Sequence, residues 1–138
     1  MASLRPLIEM HYEQVANGDW EGAATLFSPD VVTVEPGAGT MRGLAAFTGY
    51  MAAFHTAFPD GRLNLKTAIE SGDTIIVEGS FTGTNTGPLM GPGGEMPATG
   101  RILDLPYCDV FEVRGGKIVA HRVYYDQVAF MKQLGLMP

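Results

Sequence analysis

The spacing of apolar residues changes once along this chain, near residue 62, and that change limits the folds open to it. Before that point, one segment repeats large apolar side chains at steps of three and four: Leu44, Phe47, Met51, Phe54 and Phe58. This spacing predicts an amphipathic helix, which Pro59 ends. Beyond residue 62 the period is two, which predicts strands instead.

Four segments show this alternation: RLNLKTAIES (62–71), TIIVEGSFTG (74–83), RILDLPYCDVFEV (101–113) and KIVAHRVYYD (117–126). Turn signals separate them, namely Ser71-Gly72-Asp73, a long glycine-rich insert, and Gly115-Gly116. VVTVE ends at residue 35 and predicts an earlier strand over 31–35. The second half of the chain is therefore expected to form an antiparallel meander.

Two further helices are predicted before the third one. Ser3 is expected to cap the first, whose apolar residues share one face until Asn17-Gly18 ends it. Asp19 is expected to cap a shorter one, which Ser28-Pro29-Asp30 ends. A last amphipathic segment, QVAFMKQLG, covers residues 127–135. Helices followed by strands predict one α+β domain over 1–138, in which a cone-shaped, curved antiparallel sheet wraps over the N-terminal helices.

Composition excludes several kinds of partner. The 138 residues carry only nine Lys and Arg and a net charge of −6, so a basic face for nucleic acid is not expected. The one cysteine, Cys108, cannot form an internal disulfide, and the start MASLRPLIEM lacks a long apolar run. We therefore expect a cytoplasmic protein with no membrane segment. No metal site is expected either, because the three histidines lack ligand spacing and no CxxC pair occurs.

A curved sheet with helices on its concave side encloses an apolar pocket, which alternate residues of the long strands should line. One phase turns Tyr107, Asp109 and Phe111 inward on one strand, together with His121, Val123 and Tyr125 on the next. The opposite phase would turn Cys108, Val110, Arg122 and Tyr124 inward. The first phase is favoured because Glu112 and Arg122 are more stable at a wet surface.

Five motifs then carry a family resemblance: FHTAFPDGRL (54–63), GTNTGPLMG (83–91), PATGR (97–101), DVFEVRGGKIVAHR (109–122) and QLGL (133–136). In this order the chain resembles the SnoaL-like polyketide cyclase (ester cyclase) group of the nuclear transport factor 2-like superfamily. The resemblance implies a cystatin-like α+β barrel that pairs as a homodimer through the convex sheet face. It also implies cofactor-independent chemistry on a small, apolar, carbonyl-containing ligand.

The group's usual catalytic residues are an aspartate on the last strand and a histidine on the strand beside it. The resemblance puts the aspartate position on Val123 and the histidine position on Asp109. Because neither residue matches, the usual roles do not transfer one by one, and the chemistry has to be worked out from the residues present.

Those residues still suggest proton transfer. Burial among aromatic side chains should disfavour the charged form of Asp109, as a general base next to a carbonyl requires. His121 could share the proton, and Tyr107 could donate a hydrogen bond to an enolate. The alternative is that Asp109 is a hydrogen-bonded polar residue of the sheet without a chemical role. Asp126 is expected to cap the last helix rather than act in catalysis.

The remaining candidates are ligand contacts. Tyr12 on the first helix, Asn85 before the glycine-rich insert, and Phe111, Val123 and Tyr125 on the strands are expected at the pocket wall. The segment PLMGPGGEMPATG (88–100) is expected to form a rim loop over the pocket mouth, with Met90 as an adaptable apolar contact. The alternative is a long strand connection that touches no ligand.

Two functions remain open. The first is a small enzyme that uses acid–base chemistry on an apolar carbonyl substrate, by cyclisation, isomerisation or hydration. The second is a non-catalytic domain that holds a hydrophobic metabolite in the same pocket. Turnover that depends on Asp109 distinguishes the first from the second.

Overall fold

The computed structural model describes residues 3–91 and 93–137 and alternates helices and strands in its first half before it becomes mainly strand. The helices are α1 (Arg5–Asn17), α2 (Ala23–Leu26), α3 (Leu44–Ala57) and α4 (Gln127–Gln133). The strands are β1 (Phe27–Glu35), β2 (Gly39–Arg42), β3 (Arg62–Ser71), β4 (Thr74–Thr84), β5 (Leu89–Gly91), β6 (Gly94–Met96), β7 (Ile102–Arg114) and β8 (Lys117–Tyr125). No helix in the described residues has the length and apolar character needed to cross a membrane.

Six strands form the main sheet in the order β2-β1-β8-β7-β4-β3. The meander β3-β4-β7-β8 is antiparallel, whereas β1 runs parallel to β8. The pairing register shifts between Leu65 and Thr67 and between Glu112 and Val113, and such bulges bend a sheet. The predicted α+β fold with helices against a curved sheet is confirmed, with the correction that the sheet is mixed rather than wholly antiparallel.

The inner face of the sheet follows the first of the two predicted phases. Along β7 the buried residues alternate with exposed or half-buried ones, and the buried set is Leu103, Leu105, Tyr107, Asp109, Phe111 and Val113. The helices cover this face with Ile8 and Tyr12 from α1 and Phe47 and Met51 from α3. Burial of these side chains supplies most of the driving force for the fold, at about 1.5–3 kcal/mol for each large apolar group.

The helix boundaries differ from the predicted ones near the N-terminus. Leu4, not Ser3, occupies the cap position of α1, and the Ser3 hydroxyl donates a 2.7 Å hydrogen bond to Glu70. Asp19 accepts a hydrogen bond from the Gly22 backbone N–H at 3.0 Å, but the helix after it has only four residues. The Ser28-Pro29-Asp30 segment does not end a helix, because β1 already begins at Phe27.

The glycine-rich insert is folded rather than open. Its two short strands, β5 and β6, form a hairpin in which Leu89 pairs with Met96. Leu89 is buried and Met96 packs against the core. The Gly87 N–H donates to the Ala57 carbonyl at the end of α3, so the insert is attached to that helix.

The outer face of the sheet carries an apolar row. Ile69 pairs with Ile76, and Ile76 pairs with Val110 on the next strand. Ile69 is 60% exposed and Ile76 is 39% exposed. The homodimer through this face stays a prediction, and light scattering that gives a dimer mass at micromolar concentration is the expected result.

Candidate active site

The inner face of the sheet, α1 and α3 enclose a cavity of about 120 Å³. Its wall is mainly aromatic and includes Phe47, Phe54, Phe58, Phe81 and Phe130. An engineered apolar cavity of about 150 Å³ holds benzene, so this space holds roughly one ring before any side chain moves. The polar groups that reach the wall are therefore few, and they fall into two clusters.

The first cluster is centred on Asp109, which is only 2% exposed. Its Oδ1 lies 2.9 Å from Nε2 of His121, and its Oδ2 accepts a 2.5 Å hydrogen bond from the Tyr12 hydroxyl. Asp109 pairs with Val123 and Phe111 pairs with His121, so the carboxyl and imidazole groups are diagonal neighbours on one sheet face. The structure places Asp109 and His121 together at the cavity, and their catalytic role stays a prediction.

His121 is held in one orientation. Its ring stacks on Phe111 with centroids 4.4 Å apart and an angle of 2° between the planes. Nδ1 is buried and has no hydrogen-bond partner in the described part of the chain. With Nε2–H given to Asp109, Nδ1 carries a free lone pair, so the imidazole is able to accept a proton.

Two tyrosines supply neutral hydroxyl groups to this cluster. Burial, with a further contribution from the charge on Asp109, raises the pKa of Tyr12 far above its usual range. Burial also raises the pKa of Tyr107, and the Tyr107 hydroxyl has no hydrogen-bond partner among residues 3–91 and 93–137. The Tyr107 ring lies over Gly79, where a Cβ would come within 2.7 Å of the hydroxyl oxygen. Gly79 thus leaves room for the ring.

His11 lies beside the first cluster and is 3% exposed. Its ring contacts Phe27 edge-on, with centroids 4.8 Å apart, and it lies 6.2 Å from the His121 ring. Burial, and secondly the charge on His121, lowers the pKa of His11 to about 3. His11 is therefore neutral at physiological pH and adds no charge to the cavity wall.

This lowered pKa predicts an acid-sensitive fold. The unfolded chain binds a proton at His11 below about pH 6.5 and the folded chain does not, so stability present above that pH is lost as the pH falls toward 3. Between pH 7.5 and pH 5 the His11 contribution to the loss is about 2 kcal/mol in unfolding free energy. The variant His11→Phe should show a shallower pH dependence than the parent protein in urea titrations. Equal slopes for both proteins would contradict the assignment.

The second cluster lies at Glu35, where β1 ends. Glu35 is 3% exposed, accepts a hydrogen bond from the Tyr125 hydroxyl, and accepts another from the Ala38 N–H at 2.6 Å. Tyr125 and Tyr50 line the cavity. Pro36-Gly37 follows Glu35 and favours a turn at the edge of the sheet, but the carboxyl group is buried against Tyr125 of the neighbouring strand β8. The pairing of β1 with β8 could not be inferred from the spacing of residues.

The predicted ligand contacts divide into three groups. Tyr107, Val123 and Tyr125 line the cavity. Tyr12 reaches the site only through its hydrogen bond to Asp109, and Phe111 lies fully buried behind His121, so neither lines the cavity. Instead of the predicted ligand contact, Tyr12 contacts Asp109 and Phe111 stacks on His121.

Asn85 and Met90 were predicted at the pocket, but neither lines the cavity. Asn85 is 0% exposed and its side chain bonds the Ala57 and Gly87 carbonyls and Thr99, so it holds the insert together. Met90 is 65% exposed. The described residues of 84–101 contribute no side chain to the cavity wall, which contradicts the predicted rim contacts. The hairpin turns Met90 outward while its neighbour Leu89 fills the core.

Asp126 caps α4, as predicted. Its Oδ1 accepts hydrogen bonds from the backbone N–H groups of Val128 at 2.9 Å and Ala129 at 3.1 Å. Cys, His and acidic side chains do not gather in groups of three or more with the geometry of a metal site anywhere in the described ranges.

Known proteins share this fold and, in part, the sequence. IdmH from Streptomyces antibioticus, a candidate polyketide cyclase, is 28% identical with a TM-score of 0.82, over 97% of this chain and 99% of that one. TerC, co-crystallised with polyporic acid, is 24% identical with a TM-score of 0.75, over 94% of this chain and 96% of that one. A hypothetical protein with a ketosteroid isomerase-like fold from Catenulispora acidiphila is 20% identical with a TM-score of 0.78, over 96% and 93%.

No curated protein matches the sequence. The family model for SnoaL-like polyketide cyclases matches residues 7–134. That range includes both polar clusters, the aromatic cavity wall and every strand of the main sheet. The chain therefore belongs to the SnoaL-like polyketide cyclase family.

Proposed function

We propose that the protein is a cofactor-independent enzyme that acts by acid–base chemistry on an apolar carbonyl compound. The observation that carries the proposal is a buried carboxylate–imidazole pair, Asp109 and His121, in the wall of an otherwise aromatic cavity. A ring compound would bind against the aromatic side chains with its carbonyl group toward this pair. Cyclisation, isomerisation and hydration all use such a site.

The chemical step is proton transfer at the carbon next to the carbonyl. The Asp109–His121 pair takes the proton, and the electrons of the broken C–H bond move onto the carbonyl oxygen as an enolate. We assign Tyr107 as the donor to that oxygen, because its side chain lines the cavity and its hydroxyl has no hydrogen-bond partner among the described residues. The enolate then attacks a second carbon or takes a proton back at another position.

Compared with the pair that the family resemblance implies, the carboxyl group and the imidazole have exchanged strands. The resemblance implies an aspartate at Val123 and a histidine at Asp109, which are paired residues on β8 and β7. Here the carboxyl group stands on β7 and the imidazole on β8, two residues before Val123. The same two functional groups therefore meet at the same part of the sheet, which supports a catalytic role.

Deuterium exchange tests this function without knowledge of the natural substrate. The protein is mixed in D₂O with 1-tetralone, 2-tetralone or a cyclic β-keto ester, and loss of the α-proton signal is followed by NMR. We expect at least one compound to exchange faster than in buffer, because the pair removes that proton reversibly. Exchange at the buffer rate with every compound that binds would contradict the proposal.

The second candidate is a binding domain for an apolar metabolite. It is favoured by one observation: both carboxylate oxygens of Asp109 already have hydrogen-bond partners within the protein. A carboxyl group fully satisfied in the sheet needs no substrate to complete it. Tight binding of the ketones without α-proton exchange is the result expected for this function.

A further inference from the structure

The Glu35 cluster has a definite hydrogen-bond polarity. One carboxylate oxygen of Glu35 accepts from the Tyr125 hydroxyl and the other accepts from the Ala38 N–H. Because both oxygens act as acceptors, the single proton of the Tyr125 hydroxyl is committed to Glu35. The Tyr125 oxygen therefore keeps its lone pairs as acceptor sites, with the Tyr50 hydroxyl as the neighbouring donor of the protein itself.

The Tyr125 hydroxyl keeps its proton over the ordinary pH range. Burial first, and then the hydrogen bond to Glu35, raise the pKa of Tyr125 well above its usual value, so Tyr125 remains a neutral phenol. Burial, followed by the charge on Glu35, also raises the pKa of the neighbouring Tyr50. The charge on Asp109 makes a smaller contribution to the raised pKa of Tyr50, so Tyr50 lies near enough to both carboxyl groups to be affected by each.

Tyr125 pairs with Tyr107 across β8 and β7, but their hydroxyl groups lie on opposite sides of these two strands. The Tyr125 hydroxyl meets Glu35 on β1, and the Tyr107 hydroxyl lies over Gly79 on β4. Strands β1 and β4 are three strand spacings apart in the sheet, about 14 Å. A ligand that reaches both clusters therefore carries two polar groups separated by a ring skeleton.

We propose that Tyr125, held by Glu35, is a second ligand-binding subsite that accepts a hydrogen bond from a phenolic or enolic hydroxyl group. This inference rests on the proposed function in one respect, since it places the ligand carbonyl oxygen at Tyr107, its α-carbon at Asp109 and the hydroxyl at Tyr125. The ligand class is then a hydroxylated cyclic ketone rather than a simple ketone. Glu35 is a positioning residue, because it acts through Tyr125.

The test compares three ketones that differ at one position: 1-tetralone, 5-hydroxy-1-tetralone and 5-methoxy-1-tetralone. Binding is measured by calorimetric titration of the full chain. The hydroxyl compound should bind roughly 3- to 10-fold more tightly than the methoxy compound, because only the hydroxyl has a proton for Tyr125. Tyr125→Phe should abolish that preference, since it removes the oxygen that accepts the hydrogen bond.

The role of Glu35 has its own readout. In Glu35→Gln the amide N–H can donate to Tyr125, which frees the Tyr125 proton to face the cavity. The preference for hydroxyl over methoxy should then shrink or reverse, a change that a loss of stability alone does not produce. Tyr124→Phe is the matched control, because Tyr124 is 54% exposed on the other face of the same strand. This variant should prefer the hydroxyl compound over the methoxy compound as strongly as the parent protein does.

The outcomes separate the two proposals. Equal affinity of the parent protein for the hydroxyl and methoxy compounds, or a preference that survives in Tyr125→Phe, overturns the subsite. Failure to bind any of the three ketones at millimolar concentration overturns the ligand class. A Tyr125-dependent preference without α-proton exchange supports the subsite while the enzymatic function fails. α-Proton exchange without that preference supports the enzymatic function while the subsite fails.

Discussion

Asp109→Asn should lower the rate of α-proton exchange about 10²- to 10⁴-fold, the range that a positioned general base contributes. The amide that replaces the carboxylate has nearly the same shape, but it is not basic enough to take a proton from carbon. It also leaves one acceptor oxygen for two donors, the Tyr12 hydroxyl and His121 Nε2–H, so one of these two hydrogen bonds is lost. Ketone affinity should change little, because the aromatic wall remains in place.

Asp104→Asn is the matched control for this variant. Asp104 lies on the same strand, β7, but on its exposed side, so the same substitution there should leave the exchange rate unchanged. Both variants should be checked for a folded sheet by circular dichroism. An Asp109→Asn protein that is folded and retains more than about a tenth of the parent exchange rate would contradict the assignment of Asp109 as the base.

Asn85→Ala should lower the free energy of unfolding by about 3–5 kcal/mol, more than a typical substitution. The Asn85 amide N–H₂ donates to the Ala57 carbonyl at 3.1 Å and to the Gly87 carbonyl at 2.9 Å. Its Oδ1 accepts from the Thr99 N–H at 2.8 Å and from the Thr99 hydroxyl at 2.9 Å. Alanine removes all four hydrogen bonds at a position that is 0% exposed, and the Ala57 carbonyl at the end of α3 keeps only the bond from the Gly87 N–H.

Asn64→Ala provides the comparison for this loss. Asn64 donates to the Ser80 carbonyl and the Thr82 hydroxyl, but it is only partly buried, so water replaces the lost bonds and the expected cost is about 1 kcal/mol. Urea unfolding of both variants gives the two values. A loss at Asn85 no larger than at Asn64 would show that the buried amide does not hold the insert.

The strand alternation was enough to place the first polar cluster. Placing Asp109 inward with Tyr107 and Phe111 needed only the period of two and the preference of Glu112 and Arg122 for a wet surface. The hairpin at Gly115-Gly116 then set β7 against β8, so His121 could be expected beside Asp109. These are local rules, since neighbouring strands joined by a short turn pair in a register that the turn determines.

Asn85 and Met90 were wrongly expected at the cavity because their surroundings come from distant segments. The end of α3 lies 28 residues before Asn85 in the chain, yet its Ala57 carbonyl determines which way the amide faces. Met90 and Leu89 are both apolar neighbours, and only the packing of β5 against α3 decides that Leu89 is buried. The spacing of residues carries no information about either contact.

The burial of Glu35 in the second cluster also depends on a contact that the spacing of residues does not reveal. Pro36-Gly37 correctly indicates a turn after β1, but the carboxyl group is buried because β1 pairs in parallel with β8, which begins 82 residues later. By itself the sequence determined the α+β class, the long strands, their inward phase and the meeting of Asp109 with His121, because each follows from the local period and a short turn. Only the tertiary structure decided the parallel pairing of β1, the position of the insert and the Glu35–Tyr125 contact, because these depend on side chains that meet across most of the chain.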